Sequence, residues 1–356
     1  MGELVLITGG AGFIGSHVAD TLLARGDRVR ALDNLTAQVH EGGARPDYLS
    51  PEVELVTGDV RDADTVRGAL AGVDAVVHLA ARVGVGQSMY ELAEYTSTNE
   101  LGTAVLCEAL LERPVRKLLV ASSMSVYGEG TGGARSREQL ERGEWEPPGG
   151  LTPLPTPETK QPELASVYAL SKFQQERLCL LFGTAYGVPA VALRLFNTYG
   201  PRQALSNPYT GVLAIFASRL LNGRPPLIFE DGLQRRDFVS VHDVAAAFTL
   251  ALDSPAADGR VLNVGSGSSV TVLELAERLA AVMAVDVRPE ATGRYRVGDI
   301  RHCFADISLA RELLGYEPRV ELEQGVAELV EWLSGQPAVD RVDAAAEELS
   351  SRGLTL

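Results

Sequence analysis

A short apolar run, Leu4 to Thr8, leads without a break into Gly9-Gly10-Ala11-Gly12-Phe13-Ile14-Gly15, and Ser16 to Arg25 then carries a helical pattern. The glycines at 9, 12 and 15 constrain the fold more than any other feature. Lacking side chains, they permit a tight turn and let the backbone come close to a phosphate. The N-terminus of the helix that follows adds free N–H groups and a dipole that favours an anion. A glycine motif alone is a weak sign. Here it sits between a strand and a helix at the head of a βαβ series, which is the setting dinucleotide binding requires.

The alternation continues along the chain. Strands are expected at Val29–Asp33, Val53–Thr57, Ala75–Leu79, Lys117–Ser122 and Pro189–Arg194, with helices at Ala63–Ala69, Asn99–Leu111 and Val167–Phe182. Such alternation builds a doubly wound parallel sheet of the α/β class, and strands apolar on both faces fit burial between helices. After about Asn197 the pattern turns irregular, with helices near Val212–Leu221 and Val270–Val285 and short strands near Leu227–Phe229 and Val261–Asn263. This predicts a dinucleotide-binding domain over 1–195. A smaller mixed α/β substrate-binding lobe over 196–335 would follow, with some segments returning to the first domain. Residues 336–356 read as a tail whose helix, Val339–Ser351, docks on the body. An insertion at 128–165 holds six prolines between Pro147 and Pro162 and a capping-box pattern at Ser136–Gln139. It reads either as a surface loop or as a lid.

The second strand ends at Asp33. A carboxylate there accepts hydrogen bonds from the adenosine ribose hydroxyls and repels the extra phosphate of NADP. Asn34 and Leu35 offer no cation to hold that phosphate, so the expected cofactor is NAD. The formal net charge of −15 disfavours nucleic acids and anionic membranes. Three scattered cysteines (Cys107, Cys179 and Cys303) and five histidines without ligand spacing indicate neither a disulfide framework nor a metal site. With no membrane span and no signal segment visible, a cytoplasmic protein is expected.

Tyr168-Ala169-Leu170-Ser171-Lys172 places a phenol and an ammonium four residues apart on one helical face. The ammonium, with a nicotinamide cation close by, is expected to lower the phenol's pKa so that it can take a hydroxyl proton while hydride leaves the same carbon. Ser122 and Ser123 stand at the end of a strand, at the sheet edge where ligands bind in such folds. Ser123 is placed to exchange a hydrogen bond with the reacting oxygen.

These motifs, together with GDV (58–60), HLAA (78–81), NELGT (99–103), SSMSVYG (122–128), RLFNTYGPRQ (194–203), RRDFVSVHDV (235–244) and RVGDIRHCFAD (296–306), occur in the order found in the extended short-chain dehydrogenases that act on nucleotide sugars. The chain resembles that family from Leu4 to about Trp332. The resemblance implies a Rossmann-type fold and gives each matching residue an expected role. Gly9, Gly12, Phe13, Ile14, Gly15, Asp33 and Asn34 would bind NAD with Asp59 and Val60 at the adenine. Leu79, Ala80, Ala81, Asn99, Ser122 and Phe196 would line the same groove. Ser123, Tyr168 and Lys172 would be catalytic, with Tyr168 and Lys172 also touching the cofactor. Ser123, Asn197, Val212, Phe229, Arg236, Arg296 and Asp299 would bind the sugar nucleotide, the arginines at its diphosphate. It also implies a homodimer joined through Asn99–Leu111 and Val167–Phe182.

The dehydratases of the family carry an Asp-Glu pair directly after the catalytic Ser or Thr. Here those positions are Met124 and Ser125, which supply neither an acid nor a base. The chain is instead similar to the 4-epimerases, which oxidise C4 of the sugar and reduce it again on the opposite face. The SSMSVYGEG, NPYTGVLAIF and RVGDIRHCFAD segments resemble most the epimerases of dTDP-6-deoxy-hexoses such as dTDP-L-rhamnose. UDP-sugar 4-epimerases resemble it less closely. A dehydratase or decarboxylase using Glu138, Glu144 or Glu146 of the insertion is the competing enzyme reading. A non-catalytic NAD-binding protein is the remote one.

Overall fold

A computed structural model of the chain describes residues 2–131, 135–146, 152–203, 211–335 and 342–355. Seven parallel strands form the main sheet: β1 (Leu4–Thr8), β2 (Arg28–Asp33), β3 (Glu54–Thr57), β4 (Ala75–His78), β5 (Lys117–Ser123), β6 (Ala190–Leu195) and β7 (Val261–Val264). Their order is β7-β6-β5-β4-β1-β2-β3. The chain winds outward from β1 in one direction, then returns to place β4 on the other side of β1. The crevice outside the carboxyl ends of β1 and β4 is therefore the topological switch point, where ligands bind in sheets of this kind. The strand near Val261 belongs to this sheet, pairing in parallel with β6, although its sequence lies well inside the second half.

Strand alternation divides the core in two. Val5 and Ile7 of β1 pack with Val18 and Leu22 of α1 (Phe13–Ala24), and with the later helix Val241–Asp253, through Val244 and Phe248. Leu6 faces the opposite way, toward Val66 of α2 (Ala63–Ala69), Leu106 and Leu110 of α3 (Gly102–Glu112) and Phe182 of α4 (Val167–Tyr186). This is the two-residue period of a strand read directly into layers. Each side chain named here is nearly or fully buried, which stabilises the fold by roughly 1.5–3 kcal/mol apiece for the larger aliphatic and aromatic ones.

A third apolar cluster forms the smaller lobe. Leu213, Phe216 and Leu220 of α5 (Val212–Leu221) meet Leu275 and Leu279 of Val272–Val282 and Val326 and Leu329 of Leu322–Ser334. The final described segment is a helix, Val342–Ser351. The first residues expected in that helix, 339–341, and Asn207–Thr210 of the NPYTGVLAIF segment lie outside the described residues, as do Pro147 and Pro148 of the insertion. No helix among the described residues is long and apolar enough to cross a membrane.

One polar group is built into the core beneath the sheet edge. His78 ends β4, with Nδ1 at 2.7 Å from Thr8 Oγ1 and Nε2 at 2.8 Å from Thr103 Oγ1. The Thr103 hydroxyl donates its proton to the Asn99 carbonyl. Thr103 can therefore only accept from His78 Nε2–H, which leaves Nδ1 to accept from Thr8. The ring is neutral with its tautomer fixed, and burial, helped by the nearby Lys172 charge, pushes its pKa down to about 3.

A histidine depressed in the folded state contributes stability that is complete above the unfolded pKa near 6.5 and lost as pH falls toward the folded value. His78 alone should remove about 2 kcal/mol of stability between pH 7 and pH 5. Urea unfolding at the two pH values checks this; in His78→Asn the difference should shrink by that amount.

Candidate active site

A continuous cavity of about 750 Å³ follows the carboxyl edge of the sheet and runs on into the smaller lobe. Gly9, Gly12, Phe13, Ile14 and Gly15 line one end of it. Gly9 has φ +71°, and a Cβ there would stand 2.9 Å from the Ala80 nitrogen. A Cβ on Gly15 would lie 2.3 Å from the Gly9 carbonyl oxygen, so only glycine lets α1 pack this tightly on the turn. Gly12 caps α1 with no side-chain hydrogen bond, so the helix start is open to the cavity. This is a cradle shaped for the pyrophosphate of a dinucleotide.

At the end of β2, Asp33 accepts the Ala11 N–H at 3.0 Å on one oxygen and the Leu35 N–H at 2.9 Å on the other. The carboxylate is thus fixed at the cavity wall with lone pairs left over. Asn34 donates to Asp59, which is also gripped by Arg61 at 2.8 Å. Hydrogen bonds from Arg61 hold Asp59 down at about 2. The cation at this end is therefore already committed to Asp59. Val60, Leu79, Ala80, Ala81 and Phe196 line the cavity as expected.

One expected groove residue lies behind the wall, and Ser122 lines the cavity with its hydroxyl bonded to Glu176. Asn99 is fully buried behind the wall, accepting the Arg82 N–H at 2.7 Å and donating to Ser171 Oγ at 2.8 Å. It holds the groove's frame. The Ser122 hydroxyl donates to Glu176, which is paired with Arg194 at 2.7 Å. Both serines thus meet α4, Ser123 at Tyr168 on its first turn and Ser122 at Glu176 about two turns further on.

Tyr168 and Lys172 lie on the first two turns of α4, whose start is set by Ser166 accepting the Ala169 N–H. The Tyr168 N–H donates to Ser88 Oγ at 3.0 Å. Ser123 Oγ accepts both the N–H and the hydroxyl of Ser125, at 3.1 and 2.9 Å. Its own proton is consequently free to go to the Tyr168 oxygen or to a ligand. Burial raises the Tyr168 pKa above that of an ordinary phenol, and the Ser123 bond works against the rise. Burial pushes Lys172 down to about 8. Its ammonium donates to Gln175 Oε1 at 2.6 Å, and Gln175 in turn donates to Thr103 at 2.9 Å. Burial and the Ser123 bond are the two influences on the phenol in the protein itself.

The far end of the cavity is lined by Asn197, Val212, Phe229, Arg236, Arg296 and Asp299. Arg236 is a half-buried cation, and partial burial lowers its pKa from the ordinary value. It donates to the carbonyls of Arg235, Ile300 and Arg301 and has no carboxylate within ion-pair distance among the described residues. Arg296 pairs with Asp299 at 2.6 Å and lies over the Phe229 ring at 5.5 Å. Asn197 donates to the Asp237 carbonyl at 2.9 Å. A pair of arginines beside an aromatic ring suits a nucleoside diphosphate.

Sequence reasoning missed Ser125, Gln175 and His40 as parts of this arrangement. It also missed Leu349 and Thr355 of the tail, which line the cavity. In contrast, no described residue of the insertion does so. Glu129 and Arg135 instead join Glu230 and Arg301 in a buried ion network, with Arg135–Glu230 at 3.0 Å and Arg301–Glu230 at 2.8 Å, and the exposed Glu146 reaches Arg301 from outside. Such a network pins the insertion to the smaller lobe, as a fixed flank. Among the described residues there is no cluster of three His, Cys, Asp or Glu groups suited to a metal ion.

Residues 5–265 match the NAD dependent epimerase/dehydratase family. The chain belongs to this family. A dTDP-L-rhamnose 4-epimerase of Burkholderia thailandensis is 37% identical over 349 residues, covering 94% of this chain and 95% of that protein. The UDP-glucose 4-epimerase of Thermotoga maritima, solved with UDP-glucose, superposes with a TM-score of 0.81 at 34% identity, covering 93% of this chain and 98% of that one. The Thermus thermophilus UDP-glucose 4-epimerase, solved with NAD, gives 0.77 at 33% identity over 94% of this chain and 100% of that one. The family's cofactor, NAD, agrees with the glycine cradle and with Asp33 as they stand here.

If Arg236 is the seat for an anionic diphosphate, Arg236→Gln should weaken binding of dTDP and of UDP by about 10- to 100-fold, the loss of charge-assisted hydrogen bonds. NAD content should not change. Titration calorimetry on the NAD-loaded protein reads the first, and mass spectrometry of released cofactor the second.

Proposed function

We propose that this protein is an NAD-dependent 4-epimerase of nucleotide-linked sugars. The observation that carries the reading is the grouping of Ser123, Tyr168 and Lys172 at the carboxyl edge of the sheet with Met124 and Ser125, and not an acidic pair, directly after the serine. The Tyr168 oxygen takes the proton of the C4 hydroxyl, and Ser123, held as a donor by Ser125, steadies that oxygen as it becomes a ketone. Lys172, on the same helical face, supplies positive charge at the site. NAD, when bound, accepts and returns the hydride at C4. The sugar turns over between the two transfers, and the proton goes back from Tyr168.

Elimination and decarboxylation are less favoured. Of the cavity carboxylates, Asp33 and Asp59 are at the glycine end, Glu94 is paired with Arg61 there, and Asp299 is paired with Arg296. Of the insertion's acids, Glu138 and Glu144 are exposed and Glu146 is held by Arg301. A purely regulatory NAD-binding protein would have no need of the assembled Ser, Tyr and Lys.

A dTDP-6-deoxy-hexose is the sugar nucleotide we favour, on the motif resemblance and the Burkholderia relative. A UDP-hexose is the second choice. We further propose a homodimer working in the cytoplasm. Leu101, Leu170 and Leu181 are 54%, 40% and 58% exposed along the outer faces of the α3 and α4 region. A second copy packed there would cover them. The buried, unpaired cysteines suit a reducing compartment.

NMR of a panel of dTDP- and UDP-sugars incubated with the protein should show one C4 epimer converting to the other without loss of water or carbon dioxide. Release of either would replace the epimerase reading. Tyr168→Phe should lower turnover by roughly 10²- to 10⁴-fold, the scale of general acid–base catalysis, while NAD remains bound. Near-normal turnover would remove Tyr168 from the proton-transfer role.

A further inference from the structure

The tail holds a feature that neither the family nor its known chemistry assigns. The helix Val342–Ser351 is followed by Gly353 at φ +69°. The Gly353 N–H donates to the Ser350 carbonyl and the Leu354 N–H to the Leu349 carbonyl at 2.9 Å. This is a Schellman terminator, with the paired leucines 349 and 354 in the positions that usually touch across it. It reverses the chain and brings Thr355 to the cavity wall.

There the tail meets both halves of the molecule. On the lobe side, the Val297 N–H donates to the Leu354 carbonyl at 3.0 Å, and Thr355 pairs antiparallel with Arg296. On the sheet side, the Arg352 guanidinium lies over the Tyr90 ring at 4.3 Å, a cation–π contact. Leu349, only 4% exposed, and Thr355 form part of the cavity wall. The residue that the tail pairs with, Arg296, carries a buried Nε with no hydrogen-bond partner among the described residues. A buried N–H left open beside a cavity is costly unless a ligand takes it up.

We propose that residues 342–355 are a strap completing the nucleotide end of the substrate site, with Thr355 and Leu349 positioning the nucleotide against Arg296 and Phe229. This inference rests on reading the Arg236–Arg296 end as the seat of the nucleoside diphosphate. The strap fixes the backbone that carries Arg296 and closes one side of the pocket. Its removal therefore weakens capture of the nucleotide while leaving the glycine cradle and the Tyr168 region as they are.

The test uses the NAD-loaded protein, a deletion of 342–356, and Gly353→Val. The substitution places a β-branched residue in the left-handed region and disrupts the turn while leaving the rest of the chain. Calorimetry with dTDP and with UDP should show affinity reduced by about tenfold in both variants, the scale of a lost hydrogen bond and contact. KM for the epimerised sugar nucleotide should rise by the same factor, with kcat within about twofold and NAD content unchanged.

Unchanged dTDP and UDP affinity in both variants would overturn the proposal. So would a parallel loss of bound NAD, since the tail would then support the whole fold and not the nucleotide end. If the intact protein epimerises no sugar yet the deletion still weakens dTDP or UDP binding, the strap stands and the 4-epimerase reading falls.

Discussion

Desolvation governs this site. Tyr168 stands half-buried at the cavity wall and Lys172 is buried beneath it, and burial drives both toward neutrality, the phenol upward and the ammonium down to about 8. Everything around them offsets that pressure. Ser125 commits the lone pairs of Ser123 so that the Ser123 proton can meet the phenol oxygen. Gln175 accepts from the Lys172 ammonium, and is itself held by Thr103, within the same buried network that fixes His78. The sheet exists, in functional terms, to bring these groups to one edge. β5 delivers the serine, α4 the phenol and the ammonium, and the β1–α1 turn the open helix end.

Much of this was legible because it is local. The Leu4–Thr8 strand, the glycine turn and the Ala63–Ala69 helix occur where pattern and capping place them. The Tyr-Lys spacing needed only the helical period. What escaped depends on which neighbours tertiary packing supplies. Ser122 and Ser123 look alike as a pair of serines, and only the register of β5 against β6 decides which one meets Glu176. Asn99 sits in a segment wound as a π-helix, Thr96–Leu101, and the altered pitch accompanies its placement behind the wall.

Two segments have roles that sequence leaves open. Prolines and its position between active-site motifs make the insertion read either as a surface loop or as a lid. Buried ion pairs to Glu230 and Arg301 hold it against the lobe, away from the cavity. Breaking one partner of such a pair leaves an uncompensated buried charge, so Arg135 is held firmly against Glu230. The tail, expected simply to dock, reaches the cavity wall. Its sequence does contain the signal, a glycine flanked by leucines four positions before and one after. That pattern tells how the chain turns but not where the turned chain goes.

The central claim is that a proton moves through Tyr168 while the hydrogen on C4 is lifted and returned within the closed site. Running the conversion in D₂O and reading each carbon of the product by NMR tests it most directly. The account predicts that the sugar inverts at C4 with no deuterium on carbon, because the hydride never meets solvent. Solvent deuterium at C3 or C5 of the product would mean that a C–H bond was broken as a proton, and would contradict it.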